Sequence, residues 1–211
     1  MLSNGIFASA NEGAEDACSV IRHVPLSSTH LGRVSALNQL SREICSHECS
    51  LIDAWTRLED CKHIPEAKPW VQVFFCGLGS ACFCYLFGGN VLDSCISFFA
   101  GVLLQLFLFY ALRHKSPRFI RQILGSAVVT TVSLVFLITG LSIHTDKVII
   151  GAIMPLVPGI ALTTSIRDFF NGDYLSGTIH MIDALLTSFS IAVGVGAVMT
   201  IYRIVMGGAL L

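Results

Sequence analysis

Six residues near the end of the chain share one helical face. Ser176, His180, Asp183, Thr187, Ser190 and Gly194 recur at spacings of 4, 3, 4, 3 and 4, which keeps them on one side of a 3.6-residue helix. The other faces carry Ile182, Leu185, Leu186, Phe189 and Ile191. A carboxylate and an imidazole one turn apart in an apolar helix can exchange protons or hold a polar solute. Counted from the start of its helix, Asp183 is expected about 12–15 Å deep at 1.5 Å per residue. A charge at the bilayer centre costs roughly 2.5–3.5 kcal/mol on insertion scales, so such a group should face protein or water, with His180 as its nearest partner in sequence. The bland alternative is a hydrogen-bonded pair that only orients helices.

A second feature precedes the stripe. Gly151-Ala-Ile-Met-Pro155-Leu-Val-Pro158-Gly159 sets two prolines and a glycine inside an apolar run. Each internal proline removes a backbone donor and crowds the previous turn. In lipid, broken backbone is tolerated only where it is buried in protein or lines a cavity, and such breaks build solute sites in secondary transporters. A simple packing kink is the alternative. Arg167 and Asp168 follow at the expected inner mouth, as a gate pair or a solvated helix end. Asp173 is placed to cap the last helix. Asp93 stands near the outer end of the second span as a candidate cap.

Other chemistries fit less well. Ser176, His180 and Asp183 contain the ingredients of a catalytic triad, but no Gly-x-Ser-x-Gly elbow surrounds the serine. Cys45, His47 and Cys49, with Cys61 and His63 further on, match no standard zinc spacing. No phosphate-binding Gly-rich loop ending in Lys and Ser or Thr exists. The residues call for no cofactor, no metal and no enzymatic activity.

The elements that position these groups follow from composition. Of 211 residues, 54% are hydrophobic and 13% charged, against about 25% charged in soluble domains. Residues 1–69 carry 15 of the 27 charged side chains, and the last Glu is Glu66. A soluble globular enzyme is thereby excluded. The expected class is an all-α polytopic membrane protein with five spans, one of them broken at the Pro-x-x-Pro-Gly motif. Residues 1–69 form a cytoplasmic segment: a loop or disordered start, then a helix pair over about 31–61 with Ser50 able to cap the second helix. Residues 70–211 form the membrane domain, with spans at about 70–87, 92–112, 119–142, 147–169 and 175–203. In the third span, Ser126, Thr130, Ser133 and Gly140 share a face of the small and hydroxyl kind that marks helix contacts. No charged stretch followed by an apolar one opens the chain, so no cleavable signal peptide is expected. A net charge of -1 gives no field for nucleic acid.

Basic residues set the expected orientation. With the N-terminus cytoplasmic, Lys62, Lys68, Arg113, Lys115, Arg118, Arg121 and Arg167 lie inside, against Lys147 and Arg203 outside. Seven against two favours N-terminus in and C-terminus out.

The run Ile150 to Thr163, with Ile166-Arg167-Asp168, Asn171-Gly172-Asp173, Ser176-Gly177 and Asp183-Ala184, resembles the threonine/serine exporter (ThrE) family. It is similar to the half that carries five membrane helices after a cytoplasmic region, and the likeness extends over about residues 18–211, through Arg33 to Leu58. The resemblance implies export of small amino acids such as threonine and serine, or dicarboxylates such as succinate, driven by an ion gradient across a bacterial inner membrane. In the split form of the family a second small membrane subunit is implied as partner. The acidic residue of the last helix is usually Glu in this family and is Asp183 here. Members usually carry a longer soluble region before the position of residue 18. A non-transporting structural or regulatory subunit is the alternative function.

Overall fold

The computed structural model describes residues 5–11, 17–23, 30–46, 50–65, 67–113 and 116–206. The chain forms two compact units, Met1–Lys68 and Pro69–Leu211.

The first unit opens with a surprise. Strands β1 (Gly5–Asn11) and β2 (Ala17–His23) pair antiparallel in a register from Gly5 opposite His23 to Asn11 opposite Ala17. A loop or disordered start is expected from the sequence, which shows no firm period there. The strands' β-favouring residues (Ile6, Phe7, Val20, Ile21) are adjacent in the sequence rather than alternating. Helices α1 (Leu31–Cys45) and α2 (Leu51–Lys62) follow. The His30 ring accepts the Arg33 N–H at 3.1 Å and caps α1. Ser50 occupies the N-cap of α2 with no side-chain capping bond. Of the α1 stripe, Leu40 is buried, together with Ala54 of α2, while Leu31, Val34 and Leu37 are exposed. Arg57 pairs with Glu43, which also accepts from Gln39 at 3.0 Å. Those bonds, Arg57 first, hold the Glu43 carboxyl below its ordinary value. His47 and Cys49, two of the weighed metal ligands, lie outside the described residues.

The second unit is built of helices joined by short turns, with no strand among its described residues. It contains α3 (Pro69–Leu86), α4 (Val91–Arg113), α5 (Arg118–Ile138), α6 (Thr145–Ile153), a 3-10 turn (Met154–Leu156), α7 (Gly159–Phe170) and α8 (Tyr174–Val205). Four of these, α3, α4, α5 and α8, are long and apolar enough to cross a membrane. The bent pair Thr145–Leu156 and Gly159–Phe170 makes five if it counts as one span. The third apolar run ends as helix at Ile138, before Gly140, which takes φ +79 in a turn.

Burial is inverted relative to a water-soluble protein. Phe75, Phe99, Leu185, Phe189 and Ile201 are exposed, while Ser80, Ser97, Ser126, Thr130, Ser133, Thr187 and Ser190 are buried. Lipid offers no hydrophobic drive between helices, so close packing of small residues takes its place. A Cβ on Gly101 would strike the Ser80 side chain, so α3 and α4 meet nearly backbone to backbone. Ser97 donates to the Ser80 carbonyl at 3.0 Å across the same crossing. The apolar core gathers Ala100, Leu104, Val129, Ala152, Leu156 and Ile191 from α4, α5, α6, the 3-10 turn and α8.

Candidate site at the helix break and the α7–α8 hairpin

The two prolines of the break behave differently. Met154, before Pro155, stays helical at φ -48 and ψ -39, and Pro155 is absorbed into the 3-10 turn. Val157, before Pro158, is driven to φ -63 and ψ 130, the extended region that a following proline imposes. Pro158 then sits at the N-cap of α7, and the axes on either side differ by 65°. Nothing crowds the Cβ position of Gly159, so its role is not steric.

α7 and the first half of α8 form a helical hairpin. Gly172 turns the chain at φ +82. Ser165 donates to the Gly177 carbonyl at 2.8 Å, and a Cβ on Gly177 would come within 2.8 Å of the Phe169 ring. Asp173 holds the N-cap position of α8. Its carbonyl accepts the Gly177 N–H at 2.9 Å, but its side chain makes no capping bond, contrary to expectation.

The hairpin buries one carboxylate. Asp168 is 7% exposed. It accepts from Ser176 Oγ at 3.2 Å and from Arg167 Nη2 at 3.2 Å, and His180 Nε2 lies 4.0 Å from its Oδ2. Arg167 reaches this bond from an exposed position. Ser176 and His180 thus serve Asp168, across the hairpin.

Asp183 belongs to a different neighbourhood. Its partner is Arg118, the first residue of α5, whose Nη1 donates to Oδ1 at 3.0 Å and Oδ2 at 2.9 Å. α8 begins at Tyr174, and its first nine residues, about 13 Å of helix, lie beyond the level at which Arg118 meets it. Asp183 therefore stands at the mouth of the α5–α8 pair, with its side chain 33% exposed. Further along, a Cβ on Gly194 would strike Ser126 Oγ and the Ile123 carbonyl. Two contacts in the same order along both chains make α5 and α8 parallel neighbours.

At the opposite end of the bundle stands a carboxylate that sequence reasoning reads only as a helix cap. Asp93 is 0% exposed. It accepts the Asn90 N–H at 2.8 Å and the His144 N–H at 3.0 Å, and the His144 ring nitrogen Nδ1 lies 3.0 Å from Oδ2. It fastens the loop before α6 to the start of α4. His144 carries no sequence signal beyond a polar loop, and Arg118 is legible only as an orientation charge. The sequence marks the i,i+4 rows but not which helix faces them.

The chain matches the family model described as "Putative threonine/serine exporter" over residues 1–202. It is 29% identical over 149 residues to a Klebsiella aerogenes protein named "Probable succinate transporter subunit YjjP", covering 67% of this chain and 57% of that protein. A protein of the same name from Escherichia coli (strain K12) is 30% identical over 135 residues, covering 63% and 52%. The chain thus spans a little over half the length of the curated relatives it matches. No solved structure matches it significantly. With the family model matching nearly the whole sequence, the chain belongs to the threonine/serine exporter family.

Proposed function

We propose that the chain is the five-helix half of a membrane transporter that exports a small carboxylate-bearing solute on an ion gradient. The N-terminus is cytoplasmic, the C-terminus lies outside, and a second small membrane subunit completes the path. The family and the relatives named as transporter subunits support this reading. The observation that carries it is Asp168: a nearly buried carboxylate with a hydroxyl bonded to it and an imidazole at 4.0 Å, on a hairpin hinged at a helix break.

Asp168 with His180 is the pair placed to exchange protons. Asp183, held by Arg118, is the group placed to meet solute. One charge crossing 100 mV supplies about 2.3 kcal/mol, close to fifty-fold in concentration. Across the two neighbourhoods the formal charges balance: Arg118 and Arg167 stand against Asp168 and Asp183. A balanced set suits a zwitterionic amino acid better than a dianion such as succinate.

The test is reconstitution into liposomes, with and without the candidate second subunit, under an imposed proton gradient. Threonine flux that collapses in Asp168→Asn protein supports the reading. Flux that needs the partner but ignores changes at Asp168, Asp183 and Pro158 favours the alternative, a structural or regulatory subunit. The observation on that side is that the outer face of α7, with Ile160, Ile166 and Phe170, is exposed and apolar.

A further inference from the structure

Four buried side-chain atoms among the described residues lack a hydrogen-bond partner, and two of them fall on α5 and α8. They are Gln122 Oε1 and Thr187 Oγ1. Thr187 is 0% exposed. A helical threonine commonly donates to the carbonyl one turn back. Thr130, Thr178 and Thr200 do so at 2.9, 2.7 and 2.7 Å, and Thr187 does not. An unpaired buried polar group is costly, and hydrocarbon offers it no water.

By their spacing along α5 and α8, both residues fall between two fixed points of one interface. At the mouth Arg118 holds Asp183, and further in Gly194 lies against Ser126. Gln122 is one turn past Arg118 and Thr187 one turn past Asp183, on the rows that carry those contacts. Leu156 of the 3-10 turn shares a cluster with Val129 and Ile191, so the helix break borders the same seam.

The geometry points to a subsite between α5 and α8, formed by Thr187 and Gln122, that takes the hydrogen-bonding head of the transported solute, with the Arg118–Asp183 pair parting to admit it. The inference rests on the transport reading and deepens it. A glutamine amide and a hydroxyl both donate and accept, a carboxylate only accepts, and a guanidinium only donates. That set fits a solute carrying an ammonium or hydroxyl donor beside a carboxylate. Succinate dianion brings acceptors only and so offers the Asp183 carboxylate no donor.

The first test is a Thr187→Cys protein labelled with a small cationic thiosulfonate, read at residue 187 by mass spectrometry so that native cysteines do not interfere. Labelling is expected to be slow, about tenfold faster after Asp183→Asn, and slowed by L-threonine but not by succinate. Labelling indifferent to threonine, or absent even with Asp183→Asn, overturns the subsite. The second test is flux in liposomes with and without the second subunit. Thr187→Val, which keeps volume and removes the hydroxyl, is expected to raise KM for threonine about tenfold, the worth of one hydrogen bond. Thr187→Ser is expected to restore it. An unchanged KM in both Thr187→Val and Gln122→Leu overturns the subsite and leaves transport standing. Threonine protection at residue 187 without any flux overturns transport and leaves the subsite as a binding site.

Discussion

Arg118 reaches both carboxylate oxygens of Asp183 through a single nitrogen, Nη1, at 3.0 and 2.9 Å. The pair joins the first residue of α5 to the tenth of α8. With side chains 42% and 33% exposed, it is worth at most about 1 kcal/mol to stability. On the proposed reading its value lies in what it holds shut. Asp183→Asn is therefore expected to insert and unfold thermally like wild type, within about 1 kcal/mol, while threonine flux falls at least tenfold. A large loss of thermal stability with flux retained would place the pair in structure alone.

Asp168 makes a sharper demand. Asn keeps an acceptor for Ser176 Oγ but cannot take up a proton at working pH. Asp168→Asn is expected to fold and to lose the dependence of flux on an imposed pH gradient. His180→Gln is expected to shift that dependence without abolishing flux. The measurement is initial flux against lumenal pH in liposomes, and an unaltered profile in Asp168→Asn removes the proton role from this residue.

The prolines separate by experiment as they do in geometry. Pro158→Ala frees Val157 from its extended constraint and restores an N–H to the break. The 65° bend is expected to relax, lengthening the distance between spin labels at positions 147 and 166, and flux is expected to drop. Pro155→Ala lies in a turn whose preceding residue is already helical, so both readouts are expected to change little. Equal effects from the two substitutions would contradict this division.

Asp93 carries the stability. It is fully buried and serves two backbone N–H groups and one ring nitrogen. Bonds to a charged group are worth about 1.5–3 kcal/mol each, and their loss leaves buried donors unpaired. Asp93→Ala is expected to cost about 3 kcal/mol or more, and Asp93→Asn less, as seen by unfolding in detergent. His144→Ala removes only the ring contact and is expected to cost about 1 kcal/mol.

The helical membrane class was legible because long apolar runs with few charges admit little else in a 211-residue chain. The stripe Ser176–His180–Asp183 was legible from its spacing. Its division was not. Ser176 and His180 attend Asp168 because α7 folds back on α8, whereas Asp183 lies past that overlap and meets α5. That outcome depends on how far α8 extends beyond Arg118, a tertiary offset that no local period encodes. The β-hairpin has no clear sequence signal because its adjacent apolar residues show no clean alternation.

The bend at Val157–Pro158 also has a mechanical side. α7 has 12 residues, a rigid arm of about 18 Å. A rotation of about 10° at its base sweeps the tip through about 3 Å, roughly the length of one hydrogen bond. Asp168 lies near that tip, tied to α8 through Ser176. A small torsional change at one residue is thus geared into a displacement large enough to exchange one bonding partner for another.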